Sequence, residues 1–242
     1  MPLDKDVYLG AIEQEIQLLL KAADANLGGI ILACPGWTVQ TVLVHLARVY
    51  RSVAEHITTG ATEMIRFTKT PSPDSFEVVS WFRESQAMVL DALGNADPFQ
   101  PVWTWSDDKT VGFYQRRMAH ETAMHRYDVE ASVGNPTPFD GDIAADGIAE
   151  LYEVVMPFNL ARREVTLPSG SLHLHRADGE GEWMIKGVDG TIAVTHEHGK
   201  GDAAVRGSAS DLFVFAWHRA MPDTLQIFGD EAVARAWAAL AP

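Results

Sequence analysis

The chain has 242 residues, 47% of them hydrophobic, and its 33 acidic against 19 basic side chains give a formal charge of −14. That length suits one large domain or two small ones, and the surplus of negative charge repels phosphate backbones and anionic lipid, which argues against nucleic acid and membrane surfaces as partners. No stretch reaches the roughly 20 apolar residues of a membrane span, the opening MPLDKDVYLG lacks the basic start and apolar core of a signal peptide, and the single cysteine, Cys34, leaves no internal disulfide and fits a reducing cytoplasm.

The first two thirds of the chain read as helices. Ile12, Ile16, Leu19 and Leu20 recur at helical spacing, and Gly28-Gly29 is the expected stop. After Pro35-Gly36-Trp37, Thr38 is placed to cap a second helix, in which Val39, Val42, Leu43, Leu46, Val49 and Val53 line one face as far as Gly60. A Thr- and Pro-rich loop is expected at 68–73. A third helix carries Val78, Trp81, Phe82, Val89 and Leu93 inward and ends at Gly94-Asn95. The stretch 97–110, with Pro98, Pro101, Trp103 and Trp105, has no period. A fourth helix runs from about Val111 to Val133, closed by Gly134-Asn135-Pro136. A fifth starts near Gly141-Asp142 and should be interrupted at Pro157, which has no N–H to donate. Beyond Pro168-Ser169-Gly170 the period changes to alternation: 171–176, 182–186, 191–196 and 224–228 read as short strands, 208–217 as a helix, and a last helix starts at Asp230. These readings place a domain boundary near residue 165, with a helical bundle over 1–165 and a small α+β domain over 166–242.

Three side chains carry the functional reading. Glu121 and His125 are four residues apart on the fourth helix and project about 40° from one another. His45 lies among Val42, Leu46 and Val49 on the side of the second helix that ought to be buried. If the bundle brings these faces together, two imidazoles and a carboxylate surround one point. That is a three-ligand zinc arrangement with a fourth position open, the kind expected of a catalytic metal. The string His120-Glu121…His125 is not a zinc-protease motif, because three residues rather than two separate Glu121 from His125. Arg117 and Asp128 share the same stripe. Arg117 is a candidate for gripping a substrate carboxylate, or else an ion-pair partner of Glu121. Asp128 is placed to orient a ligand from behind. A competing group, His173 and His175 with His196 and His198, could bring four imidazoles together if its strands pair in register, or could simply line a solvent face.

The segment Cys34-Pro35-Gly36-Trp37-Thr38 through His45-Leu46 resembles the start of the second helix in mycothiol-dependent maleylpyruvate isomerases. The segment from Arg116 through Glu121 and His125 to Asp128-Val129-Glu130 resembles that family's second signature, and 207–219 with Gly229-Asp230 resembles its small C-terminal domain. The resemblance implies an α+β protein: a DinB-like four-helix bundle of up-down-down-up type, followed by a small α+β domain. It also implies a divalent metal, usually zinc, on His45, Glu121 and His125, and a functional arginine at Arg219. The cosubstrate it implies is mycothiol or a similar low-molecular-weight thiol, acting on an electrophilic small molecule. A metal-held thiol could serve an isomerase or a thiol S-transferase. A metal hydrolase and a non-enzymatic binding module are alternatives left open by the ligand set, and the oligomeric expectation is a monomer or homodimer.

Overall fold

The computed structural model describes residues 2–66, 76–163 and 165–242, so the expected loop at 68–73 lies outside the described residues. Contacts divide the chain into two compact units, Met1–Thr137 and Pro138–Pro242.

The first unit contains α1 (Lys5–Ala23), α2 (Val39–Thr59), α3 (Val78–Asn95) and α4 (Val111–Ser132). The signals in the sequence set the ends of α2: the Thr38 hydroxyl accepts the Thr41 N–H at 3.3 Å, and Gly60 closes the helix at φ +63°, which costs a residue without Cβ nothing. Helix α1 packs chiefly on α4, and α2 on both α3 and α4. The core that results is aliphatic, with Ile12, Ile16, Val42, Leu46, Phe82 and Val89 fully buried. Two polar ties cross it. The Tyr50 and Thr122 hydroxyls join α2 to α4 at 2.7 Å. Arg126, wholly buried, meets Glu15 of α1 through two nitrogens, Glu130 at 2.9 Å and the Thr137 carbonyl at 2.6 Å. A buried guanidinium is tolerated because its donors are satisfied.

The second unit opens with α5 (Gly141–Glu150), capped by Asp140, whose carboxylate accepts the Asp142 and Ile143 N–H groups. A π-helical turn (Leu151–Val155) and α6 (Met156–Leu160) follow. Pro157 does not break the helix as expected. The turn ahead of it widens, the Met156 N–H reaching back to the Leu151 carbonyl, and Pro157 falls in the first turn of α6, where no donor is needed. Then come β1 (Leu172–Arg176), β2 (Glu182–Val188), β3 (Thr191–Thr195), β4 (Ala203–Gly207), α7 (Ala209–Ala216), β5 (Gln226–Gly229) and α8 (Glu231–Ala238). The strands form one mixed sheet in the order β3-β2-β1-β4-β5, antiparallel except for the β1–β4 pair. Strand alternation buries Leu172, Leu174, Trp183, Ile185 and Val205, and α7 and α8 pack on β1 and β4. His173, His175 and Glu182 therefore fall on the opposite face.

The boundary expected near residue 165 differs from the division at Thr137/Pro138. Helix α5 packs on α7, so it belongs with the sheet despite its helical period.

Candidate metal centre

A tight turn opens the site. The Trp37 N–H donates to the Cys34 carbonyl at 2.9 Å across Pro35-Gly36, with Gly36 at φ +84°, a conformation that favours glycine at the third position of such a turn. Trp37 is thereby set just before the Thr38 cap, and α2 then presents His45 while α4 presents Arg117, Glu121, His125 and Asp128.

The structure brings His45, Glu121 and His125 together, each offering one ligand atom within 4.8 Å of the others. Glu121 Oε1 is the meeting point, 2.8 Å from His45 Nε2 and 3.5 Å from His125 Nε2. What lies behind these atoms matters as much. Arg117 Nη2 holds the other carboxylate oxygen, Oε2, at 2.7 Å, and Asp128 Oδ2 holds the other ring nitrogen of His125, Nδ1, at 3.0 Å. Asp128 thus keeps the His125 proton on Nδ1 and turns Nε2 toward Glu121 and His45, the role expected of a partner behind a metal ligand. Cys34 Sγ lies 3.9 Å from the same Asp128 oxygen. Trp37 walls the group: its ring stacks on His125 at 5.8 Å and 20°, and meets His45 at 5.0 Å.

Burial alone would raise the Glu121 carboxyl, but Arg117 and the two imidazoles hold it well below the usual range. Burial alone would likewise favour a neutral His125 ring. The hydrogen bonds and charges of Asp128 and Glu121 outweigh it and raise the pKa from 6.5 to about 9. Because folding raises that value, His125 contributes fully to the stability of the metal-free protein below about pH 6.5, and the contribution is lost as pH rises through 9. A cation among these donors must displace the proton. Uptake at pH 7 should therefore release about one proton, and affinity should climb about tenfold per pH unit toward pH 9. Calorimetry in buffers of differing ionisation enthalpy counts the protons, and a count of zero contradicts the placement of the cation on His125.

The two arginines singled out from the sequence have different surroundings. Arg117 is buried against Glu121. Arg219 belongs to the second unit, just after α7, where its Nη1 donates to the Trp217 and Pro242 carbonyls. It lines a groove of about 590 Å³ with His218, Met221 and Arg235. Trp103 and Trp105 pack elsewhere: Trp103 stacks on His56 and Trp105 meets the edge of Phe113. His120 turns away from Glu121, as its rotation of about 100° requires, and packs against Tyr8 of α1. The stacking of Trp37 on His125 carried no sequence signal beyond its proximity to the Thr38 cap.

A helical unit offering two imidazoles and a carboxylate, joined to a unit built on a mixed five-stranded sheet, defines an α+β protein with a candidate mononuclear metal centre. The model of the mycothiol maleylpyruvate isomerase N-terminal domain matches residues 9–130, and that of the MDMPI C-terminal domain matches 142–236. The chain belongs to the mycothiol-dependent maleylpyruvate isomerase family. Among solved structures it is similar to the mycothiol-dependent maleylpyruvate isomerase, at 14% identity and a TM-score of 0.63 over 93% of each chain. It is equally similar to a histidine-to-alanine mutant of a mycothiol-dependent maleylpyruvate isomerase, at 14% identity and 0.62 over the same shares. At this identity the likeness is one of fold. No curated protein matches the chain. Among the described residues, no helix is long and apolar enough to cross a membrane.

Proposed function

We propose that the protein is an enzyme in which His45, Glu121 and His125 hold a divalent cation, zinc above all, that activates mycothiol or a similar low-molecular-weight thiol for addition to an electrophilic small molecule. The observation that carries this reading is the convergence of His45 Nε2, His125 Nε2 and Glu121 Oε1, with Oε2 and Nδ1 tied back by Arg117 and Asp128. The donor set fits zinc, which takes imidazole and carboxylate ligands and, with three of them, keeps one position for a reactant. When bound, such a cation would lower a thiol's pKa from about 8.5, so that it can act as thiolate at neutral pH.

The chain's own residues do the rest. Arg117 keeps Glu121 ionised and fixes its orientation. Asp128 holds the His125 proton on Nδ1, leaving Nε2 as a donor of electrons. Trp37 shields both imidazoles on one side and limits the water that reaches them. Arg219, with a planar fork matched to carboxylate, is proposed to bind an anionic group of substrate or thiol.

In the isomerase reading the sulfur adds to one carbon of an activated double bond, the former double bond rotates, and the same C–S bond breaks. The thiol leaves unchanged and no other reactant is consumed. In the transferase reading the C–S bond persists and the conjugate is released.

The test is conversion of maleylpyruvate with and without mycothiol. Thiol-dependent isomerisation with the thiol recovered is the expected result. An accumulating conjugate would make the protein an S-transferase. Conversion of esters or amides without any thiol would favour a metal hydrolase instead, and absence of all turnover a binding module.

A further inference from the structure

The outer face of the sheet carries a second cluster. His173 and His175 stand two residues apart on β1, so both rings rise from the same face, and the register sets Glu182 of β2 directly opposite His175. His198, beyond β3, completes the group. One carboxylate collects all three imidazoles: Glu182 Oε2 lies 2.6 Å from His173 Nε2, and Oε1 lies 2.7 Å from His175 Nδ1 and 3.1 Å from His198 Nδ1. The ligand atoms lie within 4.8 Å of one another. Of the four imidazoles that the sequence offers for this face, three converge and the fourth does not. His196 turns instead to Glu153 at 2.7 Å and to the Glu182 carbonyl at 3.2 Å, and Glu182 takes its place.

We propose that His173, His175, Glu182 and His198 form a second divalent-metal site, separate from the centre on His45, Glu121 and His125. Three nitrogen donors and one carboxylate select a cation of the zinc type over magnesium or calcium, which require oxygen. Four protein ligands fill a tetrahedron, so the site is closed and structural. Ligands 2.0–2.1 Å from such a cation stand roughly 3.3 Å apart, whereas the atoms of this group lie up to 4.8 Å from one another, so the widest pairs must close by up to about 1.5 Å. Its layout permits this. His173 is buried and fixed on the sheet, whereas His198 is 75% exposed on the segment after β3 and can close the gap. The cation would pin that segment to β1 and β2.

Cobalt(II) is the probe. Full-length protein carrying His45→Ala and His125→Ala, freed of metal by chelation, should take up one equivalent and show the strong visible bands of four-coordinate cobalt. Adding His198→Asn should weaken uptake by more than about 100-fold, because loss of outer-shell partners alone costs about 10–100-fold. In the otherwise unaltered protein, His198→Asn should remove one equivalent, which keeps the test open should the double variant fail to fold. Absence of cobalt uptake by the His45→Ala/His125→Ala protein, if it folds, overturns the proposal, as does uptake indifferent to His198→Asn. Neither result bears on the centre of the first unit.

Discussion

His45→Ala and His125→Ala should each strip the protein of the cation proposed for its helical unit and take the proposed thiol-dependent turnover to the uncatalysed rate. Zinc retained after dialysis and the rate of isomerisation are the two readouts. Affinity should fall by well over about 100-fold, since replacing even the partners behind metal ligands costs about 10–100-fold. Both variants should remain folded. His45 is about a third exposed, and the helices it links are held by the Tyr50–Thr122 hydrogen bond and the apolar core. His125→Ala leaves Asp128 buried without its imidazole, so it should also lower the unfolding midpoint, whereas His45→Ala should not. Undiminished zinc in both variants would remove the basis of the mechanism.

The second large effect concerns stability. Glu15→Ala takes from the wholly buried Arg126 the carboxylate that meets its Nε and Nη2, while Glu130 stays on Nη1, and breaking a buried pair from one side costs about 3–5 kcal/mol. Urea unfolding should show a loss of that size. The triple substitution Glu15→Leu, Arg126→Met and Glu130→Gln should cost much less, because it removes both carboxylates together with the guanidinium they share and leaves no buried charge without its opposite. If the triple variant is as unstable as Glu15→Ala, the penalty lies in packing and not in charge.

Local signals made the helical unit legible. The Thr38 cap, Gly60 and the apolar spacing of α2 fix which of its faces turns inward, and the four-residue spacing of Glu121 and His125 puts both on one side of α4. Spacing therefore picks out the three residues that the structure gathers. It could not find what orients them, because the contacts of Arg117 with Oε2, of Asp128 with Nδ1 and of Trp37 with His125 are settled by side-chain conformations once α2 and α4 have packed.

The second unit was harder to read. Strand β4, Ala203-Ala204-Val205-Arg206-Gly207, carries no strand signal in the sequence because Ala and Gly are weak strand formers. It exists because β1 and β5 flank it and its Ala203 and Val205 are buried. The period of α5 says helix but not which core it serves, so periodicity alone puts a boundary near 165, whereas contacts divide the chain after Thr137. In the histidine cluster, register set Glu182 opposite His175, and the turn of the chain beyond β3 sent His196 elsewhere. Neither is written in the spacing of the histidines.

The most direct test is to add mycothiol to full-length protein carrying cobalt(II) in place of zinc and record the near-ultraviolet spectrum. A new sulfur-to-cobalt absorption that saturates with thiol, and that is lost in His45→Ala but kept in His198→Asn, is the result expected. A spectrum that mycothiol leaves unchanged would contradict the claim that these three residues leave a place for sulfur.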